Sequence, residues 1–251
     1  VPSLSVLVRY LDRTLKPATT SDWPGAINGL QIENNGRVTK IGVSVDAHEP
    51  ALRAAIAEKV DLLLVHHGLF WQSLPPLIGA RKRKLQLAFD HNLAVYSSHL
   101  PLDLHPRWGN NALLARALGW RRLRPFFVEK GQPIGFQTSL HLSRSVLARQ
   151  LEKATGRKAL ILPGGPATVR RVGLVTGGAG AEVARAAAEG VDTFITGEGP
   201  QHTYGLAHEL GINVIYGGHY ATETFGVKAL GQHLSQKYRV PWTFLDFPCP
   251  L

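Results

Sequence analysis

Cysteine is nearly missing from this chain. One occurs in 251 residues, Cys249, in the stretch FPCPL beside the C-terminus. No intrachain disulfide and no cysteine-based zinc site can form. That composition suits a reducing compartment and makes a cytoplasmic location the default expectation. Methionine is wholly absent, the initiator included. Long apolar runs are absent too. Mean hydropathy is −0.04, and no stretch approaches the roughly 18–20 apolar residues that span a bilayer, so no membrane partner is expected. The first residues, VPSLSVLVRYLDRTLKP, lack the basic start, long apolar centre and small-residue cleavage site of a signal peptide and read as an amphipathic helix. The glycine-rich stretches GGPAT and TGGAG match neither the P-loop nor the dinucleotide fingerprint. No Ser-His-Asp order and no G-x-S-x-G elbow occurs.

Acidic residues are scarce. Eighteen Asp and Glu face 28 Lys and Arg, for a net charge of +10 and a pI near 10.0. The cationic clusters are RKRK at 81–84 and RRLR at 121–124. Neither is interleaved with aromatics as in a groove for single-stranded nucleic acid. Solvated basic faces and an anionic partner, a small molecule or DNA, both fit.

What the chain does contain is a repeated α/β pattern. Positions 41–67 read IGVSVDAHEPALRAAIAEKVDLLLVHH, and positions 172–198 read VGLVTGGAGAEVARAAAEGVDTFITGE. At an offset of 131, Ile41-Gly42 falls on Val172-Gly173 and Val60-Asp61 on Val191-Asp192. Each copy is a β-rich run, a turn, an Ala-rich helical stretch and a second β run, the pattern of a parallel βαβ unit. LAVYSSH at 93–99 echoes NVIYGGH at 213–219, at an offset of 120. The expected fold class is α/β with an internal pseudo-repeat. LPGGPATVRR at 162–171 reads as a turn-rich connection.

Open α/β sheets bind ligands outside the carboxyl ends of their strands. Four expected strands end in LLLVHH, AVYSSH, TFITGE and VIYGGH, delivering His66 and His67, His99, Glu198 and His219. Asp103 follows His99 by four residues, and Glu223 follows His219 by four. If a helix opens after GGH, His219 and Glu223 share one helix face. Buried donors of this kind need a partner, and a metal ion is an efficient one. His66, His67, Asp103, His219 and Glu223 together exceed the needs of one four-coordinate zinc with an open position. They suit two divalent ions about 3.5–4 Å apart. Each motif alone also fits a plain structural role: a surface histidine pair, a turn with an Asp cap, a bare helix start. Asp46 either orients a ligand or caps the next helix, and His48 and Glu49 stand at another strand end. NGLQ at 28–31 reads as a loop lining a site or as a turn at Asn28-Gly29. Glu198 and His202, in TGEGPQH, and His99 are candidates for orienting ligands or carrying protons.

DWPGAINGLQ, LLLVHHGLFW, YSSHLPLDLHPRWGNN, FITGE and GGHYATE, in this order, resemble the Nif-three-like family, also known as GTP cyclohydrolase I type 2 homologues. The resemblance covers about Trp23 to Glu223, and the chain is similar to a short member without the domain that longer relatives insert between the halves. It implies two interlocked α/β lobes, divided here near 125/126 into 1–125 and 126–251, with a dinuclear metal site between them. The implied ligands are His66, His67, Asp103, His219 and Glu223, and the implied ions are iron, zinc or manganese. A toroidal homohexamer, a trimer of dimers, is also implied. The expected function is metal-dependent hydrolysis of a nucleotide-like, phosphoester or amide substrate. The alternative is a metal-containing, nucleic-acid-binding or regulatory ring without catalysis.

Overall fold

The structure, a computed structural model, describes residues 1–71, 76–129 and 131–250. The chain opens with α1 (Leu4–Leu15), β1 (Gly29–Ile32), β2 (Ile41–Asp46), α2 (Glu49–Ala57) and β3 (Leu62–His67). Next come α3 (Gly79–Asp90), β4 (Ala94–Ser97), α4 (Leu100–Asp103), α5 (Asn110–Ala117), β5 (Arg124–Glu129) and β6 (Gln132–Ser143). α6 (Arg144–Thr155), β7 (Leu160–Pro163), β8 (Thr168–Leu174), α7 (Val183–Ala188) and β9 (Thr193–Thr196) follow. The chain closes with α8 (Thr203–Leu210), β10 (Asn213–Tyr216), α9 (His219–Tyr238) and β11 (Trp242–Phe244). No helix among the described residues is long and apolar enough to cross a membrane.

These elements form two compact units. The first takes Val1–Leu102 and Gly226–Phe247; the second takes Asp103–Phe225 and Pro248–Leu251. The expected division at 125/126 falls inside the second unit. The reason is packing: Leu114, Ala115, Leu118 and Trp120 share a core with Leu147, Val172 and Ile195.

The first unit holds a five-stranded sheet in the order β1-β4-β3-β2-β11. β2, β3 and β4 run parallel, as does β11 beside β2, and only β1 is antiparallel. IGVSVD and LLLVHH are each buried through their first five residues, as befits parallel strands covered on both faces. α1 begins where the Ser3 hydroxyl accepts from Val6 N, and it buries Leu4, Leu7, Leu11 and Leu15. That spacing of three and four lines one helix face. The opening residues are thus the amphipathic helix their pattern predicts.

The second unit holds a six-stranded mixed sheet in the order β5-β6-β8-β9-β10-β7. β8, β9 and β10 are parallel neighbours; the remaining pairs are antiparallel. Its cores centre on Phe126, Phe127, Phe194 and Val214 and on Leu147, Leu174, Ile195 and Ile215. The turn-rich reading of 162–171 needs correction: Leu162 and Pro163 end β7, and Thr168 onward is β8. The apolar residues Leu162 and Val169, both buried, pull the ends of that stretch into the sheet.

The β2–β3 and β8–β9 parallel pairs use the same brace. Asp61 Oδ2 accepts from Thr39 N, Thr39 Oγ1 and Lys40 N ahead of β2. Asp192 Oδ2 accepts from Arg170 N and Arg171 N within β8. Each carboxylate satisfies backbone N–H groups in or just ahead of the first strand of its pair.

Candidate metal centre

In the first unit, β3 and β4 are parallel neighbours, with Leu62 beside Ala94 and Val65 beside Ser97. Their carboxyl ends therefore lie side by side, and the histidines that follow converge. The His66 and His67 rings are 4.7 Å apart, His66 and His99 5.0 Å, and His67 and His99 5.6 Å. One ligand atom from each of the three lies within 4.8 Å of the others, a group that could hold a metal ion. Trp71 stands edge-on to His99 at 5.1 Å.

Each of these rings is turned by an oxygen on its Nδ1. His66 Nδ1 is 2.9 Å from the Ser98 carbonyl, so it donates there. His67 Nδ1 is 2.7 Å from Asp46 Oδ1, and His99 Nδ1 is 2.8 Å from Asp22 Oδ1. An Nδ1–H held this way fixes the tautomer and directs the Nε2 lone pair outward, the arrangement that metal-ligating histidines use. Asp46 thus serves as the ring's anchor, while His48 caps α2 by accepting from Ala51 N.

Asp22 is a knot. It accepts from His99, from Asn28 Nδ2, and from the N–H groups of Trp23 and Leu100. Burial pushes its carboxyl up, but the His99 ring and the Asn28 and Trp23 donors outweigh that and hold it below the usual carboxylate range. Asn28 also accepts from His99 N. Gln31 accepts from Leu69 N, and a Cβ on Gly68 would fall 2.4 Å from its amide nitrogen. NGLQ therefore braces the loops behind His67 and His99. Asn28 and Gly29 lead into β1, with Gly29 at φ +101.

In the second unit, Gly197-Glu198 follows the end of β9 and Gly217-Gly218 follows the end of β10, and α9 begins at His219. His219 Nδ1 lies 2.7 Å from Glu198 Oε1, and His219 Nε2 lies 3.2 Å from Glu223 Oε2 one helical turn on. Glu223 is 3% exposed, deep burial for a carboxylate. His219 and Glu223 offer one nitrogen and one oxygen toward a metal ion. Asp103, also buried, accepts from Asn110 Nδ2 at 2.7 Å. His202 is exposed at the start of α8 and caps nothing.

Glycines make the space for these carboxylates. Gly177 has φ +75, and a Cβ there would fall 2.2 Å from Glu223 Oε1. Its carbonyl accepts from Gly197 N, Glu198 N and Thr196 Oγ1. The stretch TGGAG, which matches no phosphate-binding motif, is a cradle for Glu223 and His219. Sequence reasoning missed Asp22, Asn110 and Gly177 as parts of the site. The motifs DWPGAINGLQ and YSSHLPLDLHPRWGNN carried Asp22 and Asn110 without giving either a role.

The His219 ring resists charge through burial, but Glu223 and then Glu198 overcome this and lift its pKa to about 9. In the metal-free protein this raised value stabilises the fold fully below the ordinary His pKa, near 6.5, and the stabilisation fades as pH rises through about 9. Metal-free wild type should therefore melt above His219→Gln at about pH 6, with the gap closing by about pH 10. A gap that does not change with pH contradicts the ion pairs.

Among proteins of known sequence, the chain is 41% identical over 248 residues to a Deinococcus radiodurans protein named GTP cyclohydrolase 1 type 2 homolog, covering 98% of this chain and 93% of that one. A Pseudomonas aeruginosa protein of the same name is 38% identical, with 99% and 98% covered. Among solved structures, TTHA1606 from Thermus thermophilus superposes with a TM-score of 0.90 at 40% identity, over 99% of this chain and all of that one. The family model of Duf34/NIF3 (NGG1p interacting factor 3) matches residues 2–250, and the chain belongs to that family.

Proposed function

We propose that this chain is a dinuclear metal-dependent hydrolase acting on a nucleotide-like, phosphoester or amide substrate. Its metal ligands would be His66, His67, Asp103, His219 and Glu223, the set the family resemblance implies. The observation that carries the reading is the shared orientation of the histidines. His66, His67 and His219 each set Nδ1 against an oxygen acceptor, which readies Nε2 for a cation. The name of the relatives, GTP cyclohydrolase 1 type 2 homolog, directs the substrate class toward a purine nucleotide.

When bound, divalent ions at these ligands supply Lewis acidity and acidify a coordinated water. The chain's own residues do the rest. Asp46 and Glu198 hold two ligand rings at Nδ1. Glu198 keeps its second carboxylate oxygen, and exposed His202 its ring, for moving a proton to a leaving group. The net charge of +10 draws an anionic substrate. A toroidal homohexamer belongs to the same proposal.

The alternative, a ring that binds DNA without catalysis, is weakened by the RKRK cluster itself. Lys84 donates to the Ala47 carbonyl, and Arg83 lies 3.8 Å from Glu49. Half of that cluster is thus engaged within the protein.

The test is metal analysis by mass spectrometry of untagged protein, wild type beside the His67→Ala/Glu223→Ala double variant. About two ions per chain are expected in wild type and a loss in the variant, together with loss of any nucleotide or phosphoester hydrolysis. Full hydrolytic activity in the metal-depleted variant would sink the proposal.

A further inference from the structure

Beside α1 the first unit holds a cavity of about 720 Å³ that the metal chemistry does not use. It is built from residues 8–30: the second half of α1, the turn that follows it and the loop into β1. Its volume falls within the roughly 300–1,000 Å³ of small-molecule sites. None of the five proposed metal ligands lines it. Asp22 and Asn28 form part of its wall, but their polar atoms are engaged with His99, Leu100, Trp23 and each other. The groups that meet a ligand must come from the rest of the lining.

Arg13 and Lys16 both line the cavity. Among the described residues, neither side chain is held by a hydrogen bond or a salt bridge. Cations near a helix C-terminus often serve the helix alone. Here the end of α1 is capped by other means: the Lys16 carbonyl accepts from the N–H groups and hydroxyls of Thr19 and Thr20. The nearest carboxylate in sequence, Asp12, turns one oxygen inward to accept from the buried Tyr96 hydroxyl at 2.9 Å. Its other oxygen remains an acceptor at the cavity. Trp23 lines the same space with its indole 50% exposed. Two uncommitted cations, one acceptor and a flat aromatic face thus surround one volume.

We propose that this cavity binds a nucleoside monophosphate, at a site apart from the metal centre. Arg13 and Lys16 take the phosphate, Trp23 stacks on the base, and Asp12 Oδ2 accepts from a ribose hydroxyl. The lining selects for all three parts together. Bare phosphate leaves Trp23 unused and sets its charge beside the Asp12 carboxylate. An uncharged nucleoside leaves both cations unanswered.

The test is isothermal titration calorimetry on the full His67→Ala/Glu223→Ala chain in EDTA, so that a phosphate cannot register by coordinating a metal. Wild type stripped of metal with EDTA is run beside it. The probes are guanosine monophosphate, adenosine monophosphate, guanosine and inorganic phosphate. About one nucleotide should bind per chain, more than tenfold tighter than guanosine or phosphate. Arg13→Gln/Lys16→Gln should weaken the nucleotides by more than tenfold. Trp23→Ala should weaken them by about tenfold and leave phosphate unchanged. The control, Arg81→Gln/Lys82→Gln, removes the same charge from exposed positions outside the cavity and should change affinity less than about twofold. Circular dichroism checks that each variant is folded. No nucleotide binding at about millimolar concentration, phosphate binding as tightly as the nucleotides, or equal losses in the two double variants would each overturn the site. Because every titration is metal-free, none of these results bears on the hydrolase reading, and absence of metal from the wild type leaves the cavity proposal standing.

Discussion

Gly177→Ala is expected to abolish metal uptake through His219 and Glu223 while leaving a chain that still folds. Two effects combine. At φ +75 an L-residue with a Cβ is strained by about 1–2 kcal/mol. The added methyl would also lie 2.2 Å from Glu223 Oε1, with the His219 ring at 3.4 Å. The backbone cannot readily yield, because Gly177 N donates to Thr222 Oγ1 and its carbonyl accepts three further donors. The carboxylate must therefore move, and with it the ligand oxygen proposed for the metal. Gly211→Ala is the control. Gly211 also has positive φ, +65, but nothing lies within 4 Å of its Cβ position. It should lose about 1 kcal/mol of stability and keep its metal. Metal content by mass spectrometry and melting curves on both variants separate crowding from strain. Equal metal content in the two would show that the cradle does not matter.

Phe194→Ala should produce the largest loss of stability of any change considered, about 3–5 kcal/mol. Phe194 is fully buried in β9, stacked at 6.2 Å on Phe127 and edge-on at 6.0 Å to Phe126. Its removal empties the space between helices and sheet in the second unit. On a chain of this size the melting temperature should fall by on the order of 10 °C. Glu198 lies four residues on, beyond the strand end, and its bond to His219 does not involve the ring. Metal uptake measured well below the new melting point should therefore survive. A drop of less than about 1 kcal/mol would mean the core collapses to fill the gap.

The strands were legible because parallel β-strands covered on both faces are written as unbroken apolar runs: LLLVHH and VIYGGH need no alternation to be seen. The one-turn pairing of His219 with Glu223 was legible for the same local reason, since helix spacing alone brings them together. The orienting partners were harder. Asp46 stands beside His67 only because β2 and β3 pair in register, which periodicity does not fix. Asp22 lies 77 residues from His99, in a segment with no regular structure to predict. Gly177 read as a loop glycine because its meaning is the volume it leaves empty. The compact units escaped a linear division because residues 226–247 return to the first of them.

The Asp22–His99 bond has an evolutionary consequence. A lineage that replaces His99 takes one donor away from a carboxylate gathered by four, and such a group is costly to leave under-satisfied. A lineage that replaces Asp22 frees the ring to turn and scatters the direction of its Nε2. Either first step thus favours a second at the other position. Across the family, these two positions should therefore be retained or replaced together.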